Sequence, residues 1–177
     1  MFFSIIVPCF NVKDYLRESV ASIFLQTFDD YEVILVDDGS IDGTSEICDE
    51  LAKEDKRIVV IHQNNQGLFN ARNNGYKVAK GDYILGLDSD DCFANKQCFS
   101  FLVDVINKYN CPDFVMFKYK RVDKPIPDSQ NYNYSLFNNI YYYDSYNIKD
   151  IRKKFVLGHD LNSIVSKVIK RDFLLKD

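Results

Sequence analysis

The sequence predicts an α/β fold with a mostly parallel central sheet flanked by helices. Three observations lead there. Through residues 1 to 95, short β-rich runs alternate with amphipathic helical patterns at βαβ spacing. The 177 residues are 46% hydrophobic and 27% charged, with only 7 Gly and 4 Pro, which is the balance of one compact domain and not of a disordered or fibrous chain. Three of the four polar clusters in this stretch follow a strand-like run directly, where open α/β sheets gather ligands.

Phe3 to Cys9 (FSIIVPC) is apolar and β-rich and reads as the first strand. Asp14 to Gln26 places Tyr15, Leu16, Val20, Ile23 and Phe24 near an i, i+4, i+8 stripe, which predicts a helix. Tyr31 to Val36 is the second strand, and Asp42 to Glu54 a helix with Ile47 and Leu51 inward. Ile58 to His62, Leu68 to Ala79 and Tyr83 to Leu87 continue as strand, helix and strand. Gln97 to Tyr109 reads as a helix and Phe114 to Tyr119 as a strand. Residues 123 to 147 have no periodicity and hold six of the twelve tyrosines, so they read as a long irregular excursion. Asn147 to Leu157 and Leu161 to Lys170 are helix-like, the second with some strand character.

Composition bounds the chemistry. A chain of this length buries roughly 70% of its unfolded surface and needs no disulfide or structural metal. Five cysteines, with no C-x-x-C pair, argue against a disulfide framework or a zinc site and fit a reducing, cytoplasmic compartment. No apolar stretch approaches the ~20 residues of a membrane-spanning helix, and no secretion signal is visible. The net charge of −4 divides unevenly: 8 basic against 17 acidic residues up to position 95, then 14 against 9. An acidic first half excludes a nucleic-acid-binding face there and suits a divalent cation. The basic second half, including Ile151 to Phe155 and Lys167 to Lys176, is either an ordinary solvated face or one that meets an anionic acceptor or a membrane surface in peripheral association.

Four clusters carry candidate chemistry. Pro8, Cys9, Phe10 and Asn11 close the first strand, with Phe10 offering a ring face. Asp37 and Asp38 follow VILV; adjacent carboxylates repel, so one of them calls for a donor such as a base N–H or ribose hydroxyl, while Ser40 or Asp42 caps the next helix. Gly67 opens a helix with Arg72 one turn in, a plausible diphosphate site, unless Arg72 serves to neutralise the acidic cluster. Asp88-Ser89-Asp90-Asp91 ends the fourth strand. If that strand runs on, Asp88 and Asp90 share one side about 7 Å apart and can hold one Mg²⁺ or Mn²⁺ with positions open for phosphate oxygens.

Taken in order, SIIVPCFN, VILVDDGSIDGT, NNQGLFNARNNG and GDYILGLDSDD resemble the nucleotide-sugar domain of family 2 glycosyltransferases with the GT-A (Rossmann-like) fold. The resemblance implies a nucleotide-sugar-binding domain over residues 1–119 and an incomplete acceptor-side region over 120–177 packed on the same domain. It implies that Pro8, Phe10 and Asn11 line the nucleoside pocket, that Asp38 contacts the base, and that Arg72 approaches the base or diphosphate beside Gly67. Asp88 would lie near the ribose or donor sugar, and Asp90, with Asp88, would ligate Mn²⁺ or Mg²⁺. The implied reaction is inverting transfer from a UDP-sugar to a glycan or lipid-linked acceptor, in bacterial surface polysaccharide synthesis at the inner face of the membrane.

Inversion requires a base for the acceptor hydroxyl. The family supplies it from an acidic motif downstream of the matched region, yet no glutamate follows Glu54, so the base is expected beyond Asp177. Two other readings compete. One is a nucleotide-sugar-binding module without turnover. The other is a haloacid-dehalogenase-like phosphatase using the strand-terminal Asp88 as nucleophile, although Cys92 stands where Thr or Val belongs.

Overall fold

A computed structural model describes residues 1–93, 95–116, 141–143 and 167–174. Seven strands form one sheet in the order β3-β2-β1-β4-β7-β5-β6. They are β1 (Phe3–Cys9), β2 (Tyr31–Asp37), β3 (Ile58–His62), β4 (Tyr83–Gly86), β5 (Phe114–Met116), β6 (Tyr141–Tyr143) and β7 (Lys167–Lys170). The helices are α1 (Leu16–Phe24), α2 (Thr44–Glu54), α3 (Leu68–Val78), α4 (Cys98–Lys108) and the single turn α5 (Arg171–Leu174).

The half built from β1 to β4 is parallel, as the βαβ spacing requires. The other half is antiparallel: β7 pairs with β4, β5 with β7, and β6 with β5. The sheet is therefore mixed. Strand β7 inserts between β4 and β5 although it comes last in the chain, a long-range pairing that local patterns do not encode. It also settles the helix-like reading of Leu161 to Lys170: residues 167–170 are strand, because only β4 and β5 together offer Lys167–Lys170 both sets of ladder partners. Tyr141–Tyr143 is likewise strand inside the stretch read as irregular. The rest of that stretch, and the helix expected at Asn147 to Leu157, lie outside the described residues.

Strands β1 and β2 are buried on both faces, which explains their continuous apolar runs. On one face Phe3, Ile5, Val7, Val33, Leu35 and Leu85 pack under α1 and α4 residues such as Leu16, Val20, Phe99 and Leu102. On the other, Ile6, Ile34, Val36 and Ile84 meet Ala71 and Ala79 at α3. Gly75 lets α3 settle onto β1, since a Cβ there would lie 2.6 Å from Ile6 Cγ2. Among the described residues, no helix is long and apolar enough to cross a membrane.

Candidate functional site

Parallel pairing brings the carboxyl ends of β1 to β4 to one edge of the sheet, so the four polar clusters converge there. Pro8 sits within β1, in register with Val36. Its ring nitrogen is accommodated because β4 has already stopped: Ile6 is the last residue opposite it, with Gly86 as partner. Proline therefore ends the ladder on one side only, and β1 continues to Cys9 against β2. Phe10 is half exposed beyond it. Asn11 adopts φ +54° and clasps the next loop, its amide donating to Ser40 Oγ at 3.1 Å and its Oδ1 accepting the Ile41 amide at 2.9 Å.

The two carboxylates after β2 face different protein donors. Asp37 accepts the Ser40 amide at 3.1 Å and the Ser45 hydroxyl at 2.6 Å, and lies 2.9 Å from His62 Nδ1. Burial alone would raise its pKa, yet the bonds from Ser40, Ser45 and His62 outweigh burial and hold it below the ordinary carboxylate value. His62 also reaches Asp49 through Nε2 at 3.0 Å; the bonds to Asp37 and then Asp49 raise its pKa. The N-cap of α2 is Gly43, and Asp42 just before it shapes the turn into the helix by accepting the Thr44 amide at 3.0 Å.

Asp38 is only 4% exposed and turns the opposite way. Its Oδ1 accepts Gln63 Nε2 at 2.7 Å and the Gln66 amide at 2.8 Å, while Oδ2 accepts the Gly67 amide at 2.8 Å. A carboxylate has about four acceptor positions, so one remains, on Oδ2. Gly39 permits this closeness: with φ +74°, a Cβ there would lie 2.8 Å from the Asn65 backbone nitrogen. Gln63 extends the clasp to α3, its Oε1 accepting Asn74 Nδ2 at 2.7 Å.

Arg72, on the second turn of α3, places Nη2 2.5 Å from Asp88 Oδ1, and its buried Nε–H has no hydrogen-bond partner among the described residues. Asp88 does not continue a strand. Strand β4 stops at Gly86, and Asp88 to Asp91 form a turn closed by the Asp91 amide on the Asp88 carbonyl at 2.9 Å. The alternation expected of Asp88 and Asp90 on an extended strand is thus replaced by a turn that presents Asp90 exposed. Burial, followed by the charges of Asp90 and Asp88, raises the pKa of Asp91, so negative charge is concentrated in this turn.

The donor chemistry of the turn fits a hard cation, because carboxylate oxygens suit Mg²⁺ and Mn²⁺. Among the described residues no group of three or more His, Cys, Asp or Glu is placed to hold a metal ion.

Sequence reasoning missed His62, Gln63 and Lys167. The strand-end register of His62 opposite Asp37 was an available signal for the first. Lys167, assigned to a basic surface, is fully buried in the sheet, so the membrane-facing reading fails at that residue. Ile151 to Phe155 and Lys176 lie outside the described residues.

Comparison with known proteins completes the picture. Residues 4–171 match the family model for glycosyl transferase family 2. Over 88 residues the chain is 51% identical to the uncharacterized glycosyltransferase EpsJ of Bacillus subtilis, covering 50% of this chain and 26% of that protein. Over 89 residues it is 49% identical to glycosyltransferase GlyG of Streptococcus pneumoniae, covering 50% and 30% respectively. The matched stretch thus spans about a quarter to a third of the length of these two relatives. Among solved structures, residues 1–349 of S. aureus TarS in complex with UDP-GlcNAc align with a TM-score of 0.71 at 28% identity, over 98% of this chain and 46% of that one. Because the family model runs from β1 into α5 and the polar clusters meet at the edge of a GT-A sheet, this chain belongs to glycosyltransferase family 2.

Proposed function

We propose that this glycosyltransferase takes its sugar from a UDP-linked donor and transfers it, with inversion, to a glycan or lipid-linked acceptor in bacterial surface polysaccharide synthesis, at the inner face of the membrane. The observation that carries the donor half is the convergence of Asn11, Asp38, Gly67, Arg72 and Asp88 at one sheet edge. The likeness to TarS, a protein seen in complex with UDP-GlcNAc, supports UDP as the carrier.

On this reading Pro8, Phe10 and Asn11 wall the nucleoside, with the exposed Phe10 ring beside the base. Asp38 holds the 63–67 loop and offers its remaining Oδ2 position to a base N–H. Arg72 and Asp88 flank the diphosphate and ribose, while Asp90, with Asp88, takes Mn²⁺ or Mg²⁺. When bound, that ion stabilises the charge of the departing diphosphate. On the same reading, residues 120–177 serve the acceptor side. Family membership removes the phosphatase reading, since Asp88 is engaged by Arg72 and no longer serves as a free nucleophile.

Calorimetry with UDP, GDP and uridine, with and without Mn²⁺, followed by a UDP-sugar hydrolysis assay, tests the proposal. Mn²⁺-dependent binding that prefers UDP is expected. Equal affinity for UDP and GDP would remove the assigned carrier, and tight binding without hydrolysis would favour a binding module.

A further inference from the structure

The two oxygens of Asp38 are not equally occupied. Two backbone amides treat them alike: Gln66 donates to Oδ1 and Gly67 to Oδ2, each at 2.8 Å. With those donors alone, each oxygen would keep one of its two acceptor positions. The side chain of Gln63 breaks the symmetry by donating Nε2 to Oδ1 at 2.7 Å. Oδ1 is then full, and among the described residues only Oδ2 retains a position.

A chain of hydrogen bonds fixes which way the Gln63 amide points. Lys77 Nζ, which can only donate, gives to Asn74 Oδ1 at 3.0 Å. Asn74 therefore presents Nδ2 to Gln63, whose Oε1 accepts it at 2.7 Å. That leaves Gln63 Nε2 for the Asp38 carboxylate, which accepts it. Both ends of the chain agree, so α3 holds Gln63 in one orientation.

The number of free acceptor positions selects among bases. The imide edge of uracil offers one N–H between two carbonyl oxygens, so a single acceptor satisfies it. Guanine offers two adjacent donors, N1–H and the 2-amino group, which pair with both oxygens of a carboxylate. Against an Asp38 whose Oδ1 is taken, and which is only 4% exposed, the second guanine donor would be buried without an acceptor.

We infer that Gln63 is a specificity-determining residue of the donor site: by filling Oδ1 of Asp38 it leaves one acceptor, and so selects a base with a single N–H over one with two adjacent donors. The inference rests on the proposed placement of the base at Asp38. It goes further in assigning the choice of base to a side chain that acts through Asp38.

Calorimetry of the wild-type protein, Q63M and N74L with UDP, 3-methyl-UDP, IDP and GDP in the presence of Mn²⁺ tests it. Inosine and guanosine diphosphates differ only in the 2-amino group, so their affinity ratio reports the second donor and not the size of the base. The wild-type protein is expected to bind IDP about tenfold more tightly than GDP. In Q63M, which opens Oδ1, that preference should vanish or reverse, and N74L, which unanchors Gln63, should weaken it. Equal wild-type affinity for IDP and GDP, or a preference that Q63M leaves intact, overturns the inference. So does failure of all three proteins to bind IDP, because size would then choose the base. If Q63M does not fold, an undiminished preference in N74L overturns it. The methylated nucleotide separates this inference from the donor reading: lacking the N3 proton, it should bind more weakly than UDP. Equal binding of those two would take the base away from Asp38 and the inference with it. Weaker binding, with a purine preference indifferent to Gln63, would keep the base at Asp38 and remove only the role of Gln63.

Discussion

Asp38 accepts the amide of Gly67 at 2.8 Å, so the end of β2 and the start of α3 form one hydrogen-bonded unit. The same carboxylate takes the Gln66 amide and the Gln63 side chain, which closes the loop between β3 and α3 over the sheet edge. Replacing Asp38 by Ala strands two backbone donors and is expected to cost about 2–3 kcal/mol. Asn should recover part of this through its one carbonyl oxygen. Urea unfolding of both variants checks the order, and a neutral Asp38→Ala would show that the loop stands without its clasp.

Close packing of α3 on β1 gives a second test. A Cβ on Gly75 would press to 2.6 Å from Ile6 Cγ2, a methyl fixed to the branch of a buried side chain. Alanine improves helix propensity by roughly 0.5–1 kcal/mol, but overpacking costs about 1–3 kcal/mol. Gly75→Ala should therefore destabilise, and pairing it with Ile6→Ala should cost less than the two single changes added together. Strict additivity in that double-mutant cycle would contradict the contact.

The pH dependence follows from His62 and Asp37. His62 is raised above its ordinary 6.5 by bonds to Asp37 and Asp49. Its contribution to stability is complete below about pH 6.5 and lost as pH climbs through the raised folded-state value. Asp37, held below 3.8, contributes above that value and loses its contribution as pH falls through the depressed one. Stability should thus decline as pH rises from the ordinary His62 value through the raised folded-state one, and His62→Gln should flatten that decline. Urea midpoints across the range measure both, and an equal slope in the variant would remove His62 as its source.

The Asp88 turn makes the metal prediction. Asp90 is exposed and free to ligate, whereas Asp88 is engaged by Arg72. Asp90→Ala should abolish the Mn²⁺ dependence of UDP binding and leave the melting temperature nearly unchanged, since surface changes rarely exceed about 0.5 kcal/mol. Asp88→Ala should also destabilise, because it leaves the partly buried Arg72 guanidinium without its carboxylate. Undiminished Mn²⁺ dependence in Asp90→Ala would remove the cation from that side chain.

The parallel half of the fold was legible because its signals are local. Strand Ile58–His62 was readable to the residue, and helix α3 to within one residue, from apolar runs and periodicity. The four polar clusters were legible for the same reason, since a βαβ chain delivers every strand's carboxyl end to one edge. The roles of individual side chains were not. From the sequence one of Asp37 and Asp38 calls for a donor such as a base N–H or ribose hydroxyl; in the structure Ser40, Ser45, His62, Gln63, Gln66 and Gly67 supply donors to the pair, neighbours that arise only once β2 and β3 pair.

By itself, the sequence determined the alternation of strands and helices through Leu87, the edge at which Phe10, Asp38, Arg72 and Asp90 collect, and the family to which these motifs point. Tertiary structure alone decided that Lys167–Lys170 inserts between β4 and β5, that Lys167 is buried in the sheet, and that Asp88 turns away from β4. The reason lies in range: a hydrophobic period is written in neighbouring residues, whereas strand order and the environment of a charge depend on partners about eighty residues away, whose pairing no local pattern encodes.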